Sequence, residues 1–180
     1  MVARIKKKSG GFTIIEMLVA VAIFSLVAVA SSEIFVFSIK GQRKYLASQE
    51  ILDQASYFME YASKAIRMAK KDVDGVCIGP KLNYQKTHGG QGIRFKNYQG
   101  ICQEFYLEGG QLKEDKGGVV SSLTSGNLQV VSFNIGPEDA WDQEDTDQPK
   151  VTFFLEIQGK EQAKIKIQTT VSQRNPDIEQ

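Results

Sequence analysis

Four residues after Phe12 stands Glu16, the one ionisable side chain in the nineteen-residue stretch FTIIEMLVAVAIFSLVAVA that runs from Phe12 to Ala30. A charge in hydrocarbon costs on the order of 3 kcal/mol on insertion scales, so a carboxylate there is a functional candidate by default. The residues before it read Lys6-Lys7-Lys8-Ser9-Gly10-Gly11. Cleavage after Gly11 would create an α-amine on Phe12 at nearly the same depth as the carboxylate. An unpaired charge in low dielectric is severely penalised. A neighbouring copy of the segment, shifted along its axis, would bring amine and carboxylate together and set an axial register. Snorkelling of Glu16 to the nearby interface is the structural alternative, and its early position permits that too.

The other chemistry-bearing residues are few. Cys77 and Cys102 are the only two cysteines and His88 is the only histidine, which leaves little material for a zinc site or a thiol-imidazole catalyst. A bridge between the cysteines would close a loop of about 26 residues and stabilise by about 3 kcal/mol in the chain-entropy model. Two separate buried thiols are the alternative. His88-Gly89-Gly90 has the look of an oxyanion-hole turn, but no G-x-S-x-G elbow accompanies it, so it reads as a polar turn. Gly89-Gly90-Gln91-Gly92 lacks the lysine and helix of a phosphate loop. Between two prolines, PEDAWDQEDTDQP holds Asp142, Glu144, Asp145 and Asp147, hard oxygen donors suited to calcium. EF-hand spacing is missing, and a solvated acidic loop is favoured, with Trp141 as its staple or a partner's anchor. No convergent acid-base set is present, and the chain reads as a non-enzyme without a cofactor.

The elements that hold these residues follow from charge and periodicity. The chain has 180 residues and a net charge of +1. Every charge up to Gly11 is positive (Arg4, Lys6, Lys7, Lys8), and the remainder sums to −3. That balance excludes a dedicated nucleic-acid binder and fits orientation at a membrane. The apolar stretch makes a helix of roughly 28 Å, close to the hydrocarbon thickness of a bilayer. Lysines on its N-terminal side place that end in the cytoplasm and the body outside. A secretory signal peptide is opposed by the length of the run and by Glu16, although Ala28 and Ala30 have the A-x-A spacing.

After Gly41, which marks a bend, Tyr45, Ser48, Leu52, Ala55, Met59, Ala62, Ile66 and Ala69 follow one helical face, widened by Ile51, Phe58 and Ala65. Gln49, Asp53, Glu60, Lys64, Arg67 and Lys71 lie opposite. This stripe is expected to pack on the chain's own sheet; a coiled-coil seam is the alternative. The helix from Phe12 to about Lys71 would span about 90 Å, a rod that serves a filament. GIRFKNY, CQEFYLE, QLKEDK, NLQVVSFNI, VTFFLEIQ and AKIKIQTTV read as strands, with Gly109-Gly110 turning one hairpin. The class is α+β, a long helix on an antiparallel sheet.

KKKSGGFTIIEMLVAVAIF resembles the N-terminal signal of type IV pilins and type II secretion pseudopilins. The resemblance implies a prepilin peptidase that cuts between Gly11 and Phe12 and methylates Phe12, and an assembly role for Glu16. It implies the pilin fold, with a leader over 1–11, a transmembrane and assembly half over 12–40, and an extracytoplasmic domain over 41–180. Partners would be the peptidase, other pilins or pseudopilins, and the membrane; the chain would sit single-pass in the cytoplasmic membrane before entering a cell-surface or periplasmic filament. Major pilins carry a proline near the end of this segment, where this chain has Glu33. The run LVAVAIFSLVAVA is more similar to minor subunits, and IKIQTTVSQRN to the closing strand of J-type minor pseudopilins. Those likenesses imply a role at the tip or in initiation. The rival function is an uncleaved, single-pass anchor for an extracytoplasmic binding domain.

Overall fold

The computed structural model describes residues 10–138, 141 and 148–174. One helix, α1, runs from Ile14 to Arg67 over 54 residues. The chain divides into two compact units between Arg43 and Lys44.

The first unit holds the apolar part of α1. Large apolar side chains from Phe12 to Phe37 are all exposed, and a helix that is hydrophobic all round needs a non-aqueous surrounding. Gly41 does not interrupt the helix; the expected bend is absent as a break in secondary structure.

In the second unit α1 becomes one-sided. Ala47, Ile51, Ala55, Phe58, Met59, Ala62 and Ile66 are buried, at steps of three and four. The buried stripe is rotated from the expected one: Tyr45 and Leu52 are exposed, and Ile51 and Phe58 lie at its centre. Two antiparallel sheets cover it, where the sequence pattern gave one. The first is a meander of β1 (Tyr84–Thr87), β2 (Gly92–Lys96), β3 (Cys102–Glu108), β4 (Gln111–Lys116) and β5 (Val119–Ser122). The second is β6 (Gln129–Gly136), β7 (Lys150–Gln158) and β8 (Lys164–Ser172). Turns of two to five residues link the strands of the meander and β7 to β8, and Gly109 and Gly110 supply the positive φ of the β3–β4 turn, 60° and 75°. Gly159 follows β7, where a Cβ would stand 2.9 Å from the Ile51 side chain. A side chain there would force the buried Ile51 and Leu128 side chains to shift.

Phe58 is where three elements meet. Its ring lies edge-on to Phe105 of β3 at 6.0 Å, Phe133 of β6 at 5.5 Å and Phe153 of β7 at 6.3 Å. Alternating residues on each strand deliver these rings to one side. The last carbonyls of α1 lack helical partners, and tertiary groups take them: Tyr84 Oη donates to Ile66 O at 2.9 Å and Arg174 N to Arg67 O at 2.8 Å. Just beyond, Gln173 Nε2 donates to Ala69 O at 3.2 Å.

Truncating Phe58 leaves a cavity against both sheets. Phe58→Ala is expected to cost about 3–5 kcal/mol, measured by urea unfolding of the detergent-solubilised chain with the single, buried Trp141 as fluorophore. Tyr57→Ala, on the exposed side, should stay within about 0.5 kcal/mol of the parent.

Candidate functional site

The residues around the Gly11–Phe12 bond lie outside regular structure, and α1 begins two residues later. Thr13 is its N-cap. Glu16 N donates to Thr13 Oγ1 at 3.3 Å, while Thr13 N and Thr13 Oγ1 donate to Glu16 Oε2 at 2.9 and 3.0 Å. This is a capping box, satisfying two helix-end donors reciprocally. The T-x-x-E spelling Thr13-Ile14-Ile15-Glu16 was available in the sequence and is a role for Glu16 that the charge argument missed. Phe12, Ile15, Glu16, Val19, Ala20 and Ile23 line one shallow apolar hollow on this helix. A carboxylate held at a helix N-terminus also faces the positive end of the helix dipole.

Cys77 and Cys102 form a disulfide, with Cα atoms 5.2 Å apart. It ties the segment after α1 to the start of β3. Asp72, beside it, is fully buried. Its carboxylate accepts from Cys77 N at 2.6 Å, Ile78 N at 3.0 Å and Lys96 Nζ at 3.1 Å. Burial opposes its ionisation, but the two amides and the Lys96 ammonium outweigh it and hold Asp72 below the usual carboxylate range. No periodic pattern marks this residue, because its amide donors lie in an irregular segment and its lysine partner on a strand 24 positions away.

A second polar group spans helix and sheet. Tyr61 Oη donates to Glu114 Oε1 at 2.7 Å, and Gln103 Nε2 donates to the same oxygen. Burial first, then the Glu114 hydrogen bond, pushes the Tyr61 phenol up to about 12. Tyr61 therefore stays a donor at any physiological pH.

The remaining candidates fall apart as chemistry. His88 opens a single 3₁₀ turn, stacks on Tyr106 at 4.4 Å, and stands 3.1 Å from Glu104 Oε1. Gly89 to Gly92 form the β1–β2 turn and the start of β2. Trp141 is buried, lies edge-on to Tyr84 at 5.6 Å and donates Nε1–H to Lys150 O at 2.6 Å, so it staples the core. Asp142, Glu144, Asp145 and Asp147 lie outside the described residues. Among the described residues, no three His, Cys, Asp or Glu side chains are grouped to hold a metal.

Residues 6–32 match the family model described as the prokaryotic N-terminal methylation motif. No curated protein and no solved structure matches the chain. The motif match supports a pilin-type protein processed by a prepilin peptidase, and with the apolar helix it supports membrane anchorage.

Asp72 gives the second unit a testable pH signature. A carboxyl whose folded pKa is depressed contributes stability above its unfolded pKa, about 4, and loses it as pH falls through the folded value. Asp72→Asn should therefore lower the urea midpoint at pH 7. Its gap from the parent should close progressively below about pH 4.

Proposed function

We propose that the chain is a structural subunit of a type IV pilus or type II secretion-like filament, acting at the tip or in assembly initiation. The observation that carries the reading is the methylation-motif match over residues 6–32, with Gly11, Phe12 and Glu16 in order within it. Residues 1–11 serve as the leader, 12–40 as the membrane and assembly half, and 41–180 as the extracytoplasmic domain. The chemistry done on this chain is peptide-bond cleavage between Gly11 and Phe12 and methylation of the new amine. The chain is the substrate, and other pilins or pseudopilins are its partners.

Gly11 presents no side chain, and a Cβ there meets nothing within 4 Å in the chain itself. Obstruction by a larger residue would therefore arise in the peptidase. Co-expressed with a prepilin peptidase, the parent should yield N-methyl-Phe12 by mass spectrometry of the intact chain. Gly11→Leu should leave Met1 at the N-terminus. An intact Met1 in the parent would favour an uncleaved anchor instead.

Glu16 separates processing from assembly, because it lies beyond the scissile bond. Glu16→Val should be cleaved and stay membrane-held, yet fail to cross-link to its neighbours. Thr13→Ala removes the capping hydroxyl and keeps the carboxylate, so it should assemble. If Thr13→Ala fails as Glu16→Val does, capping alone explains Glu16 and the register role falls. Glu60→Val, on the exposed helix face, should assemble as the parent does.

A further inference from the structure

The terminal strands of the two sheets are guarded unequally. β8 is nine residues long, and its Lys-Ile-Lys-Ile start puts Lys164 and Lys166 on one face, with Lys166 75% exposed. Charged side chains, lysine above all, are how edge strands discourage pairing with stray chains. β5 has no such guard. It reads Val119-Val120-Ser121-Ser122, without charge or proline, and all four residues are exposed, the valines by 70% and 54%.

What lies beside β5 says what would cover it. Asp115 of β4 pairs with Val120, and Glu104 of β3 pairs with Asp115. Arg94 of β2 pairs with Glu104, in register and by an ion pair of 2.6 Å. The row therefore carries one cation and two carboxylates, with the excess carboxylate nearest the open edge. Asp115 Oδ1 accepts from Gly118 N at 2.7 Å, and among the described residues no basic side chain forms an ion pair with it. A hollow of about 300 Å³ opens along this row, between Arg94, Glu104 and Asp115, the Gly117–Gly118 turn, and Val76 beside the disulfide.

We propose that β5 pairs with the β8 edge of a second copy of this chain, whose Lys166 supplies the cation that Asp115 lacks. Neighbouring strands lie roughly 4.8 Å apart, so a residue facing Val120 stands two spacings, about 10 Å, from Asp115 along the row. A lysine stem lying over Val120 brings its ammonium to the carboxylate. In its own chain Lys164 is the nearer partner of Glu156, and Lys166 stands 3.4 Å from the other oxygen. Lys166 is thus the lysine that can be shared. The guard on β8 then works as a specificity device: it repels edges that lack an acid and suits the one that has it. Donor and acceptor surfaces differ, so the contact is head-to-tail and can propagate. Four paired residues make a weak contact alone. Anchorage of both copies in one membrane raises the effective concentration, and only propagation of the contact rests on the filament reading.

The experiment uses the full chain in membranes, with a photo-crosslinking benzoylphenylalanine at Ser122. Illumination should give a homodimer whose cross-linked peptide maps to β8. Asp115→Lys and Lys166→Glu should each cut the yield about fivefold, and the double reversal should recover most of it. Val120→Lys, a guard placed on a side chain that supports no core, should also cut it. Trp141 fluorescence checks that each variant is folded. An absent cross-link, one that maps to another protein, or one indifferent to both reversals overturns the pairing. The N-terminus is read in the same sample. A cleaved chain without the cross-link sinks the pairing alone, and a cross-linked chain with Met1 intact sinks the filament reading alone.

Discussion

A backbone in hydrocarbon has no water to bond, so each N–H and C=O must find its partner within the segment. That constraint makes the first part of α1 a helix whatever its side-chain propensities. It extends to the few polar side chains present: Ser25, Ser31 and Ser32 each donate to the carbonyl four residues back, at 2.8 Å. At the start of α1, where the first N–H groups have no helical acceptor, the capping box does the same work. Continuity of the helix past Gly41 then presents a ready-made apolar face, from Ala47 to Ile66, on which the sheets condense.

The second unit inherits from this a problem at the other end of α1. Its last carbonyls sit inside protein, and local bonds serve only part of them: Met68 N donates to Lys64 O and Ala69 N to Ile66 O. Tyr84 adds a second donor to Ile66 O, and the segment after β8 supplies one to Arg67 O. The end of the helix is thus closed by residues more than a hundred positions away, Gln173 and Arg174, which makes the last strand part of the helix's own hydrogen-bond inventory. Asp72 and the disulfide order the segment between helix and sheet, Asp72 through the nearby amides of Cys77 and Ile78 and through Lys96 of β2, the disulfide through Cys102 of β3.

Local patterns revealed the parts whose causes are local. Phe12 to Ala30 needs only composition to be an apolar helix, and the alternation in CQEFYLE and VTFFLEIQ needs only a two-residue period to be strands. The β3–β4 turn was legible because two glycines tolerate positive φ. The stripe on α1 was found but rotated, since Tyr45 and Leu52 are apolar and nothing in the sequence says which apolar residues the sheets reach. β1 and β5 are four residues long, too short for alternation to register. Glu114 and Gln173 were illegible because their meaning lies in partners brought from far along the chain, and Asp72 because its nearby amide donors belong to an irregular segment that no periodic pattern marks. Trp141 sat in an acidic stretch, and only the nearness of Tyr84 makes it core.

Glu16 is asked to do two things, and its geometry lets both stand. Both hydrogen bonds from Thr13 go to Oε2; among the described residues, nothing donates to Oε1. Capping therefore occupies one oxygen and leaves the other for the amine that the proposed cut would create on Phe12. That amine would be a cation at the positive end of a helix dipole, an unfavourable place for it. Glu16 relieves the end locally through its charge, but its capped oxygen is fixed toward its own Thr13. An amine offered by a neighbouring copy, as proposed, would meet the free oxygen without dismantling the cap. On the proposed assembly, a single carboxylate would serve as helix start in each subunit and as register mark between subunits, and the membrane would make either role costly to lose.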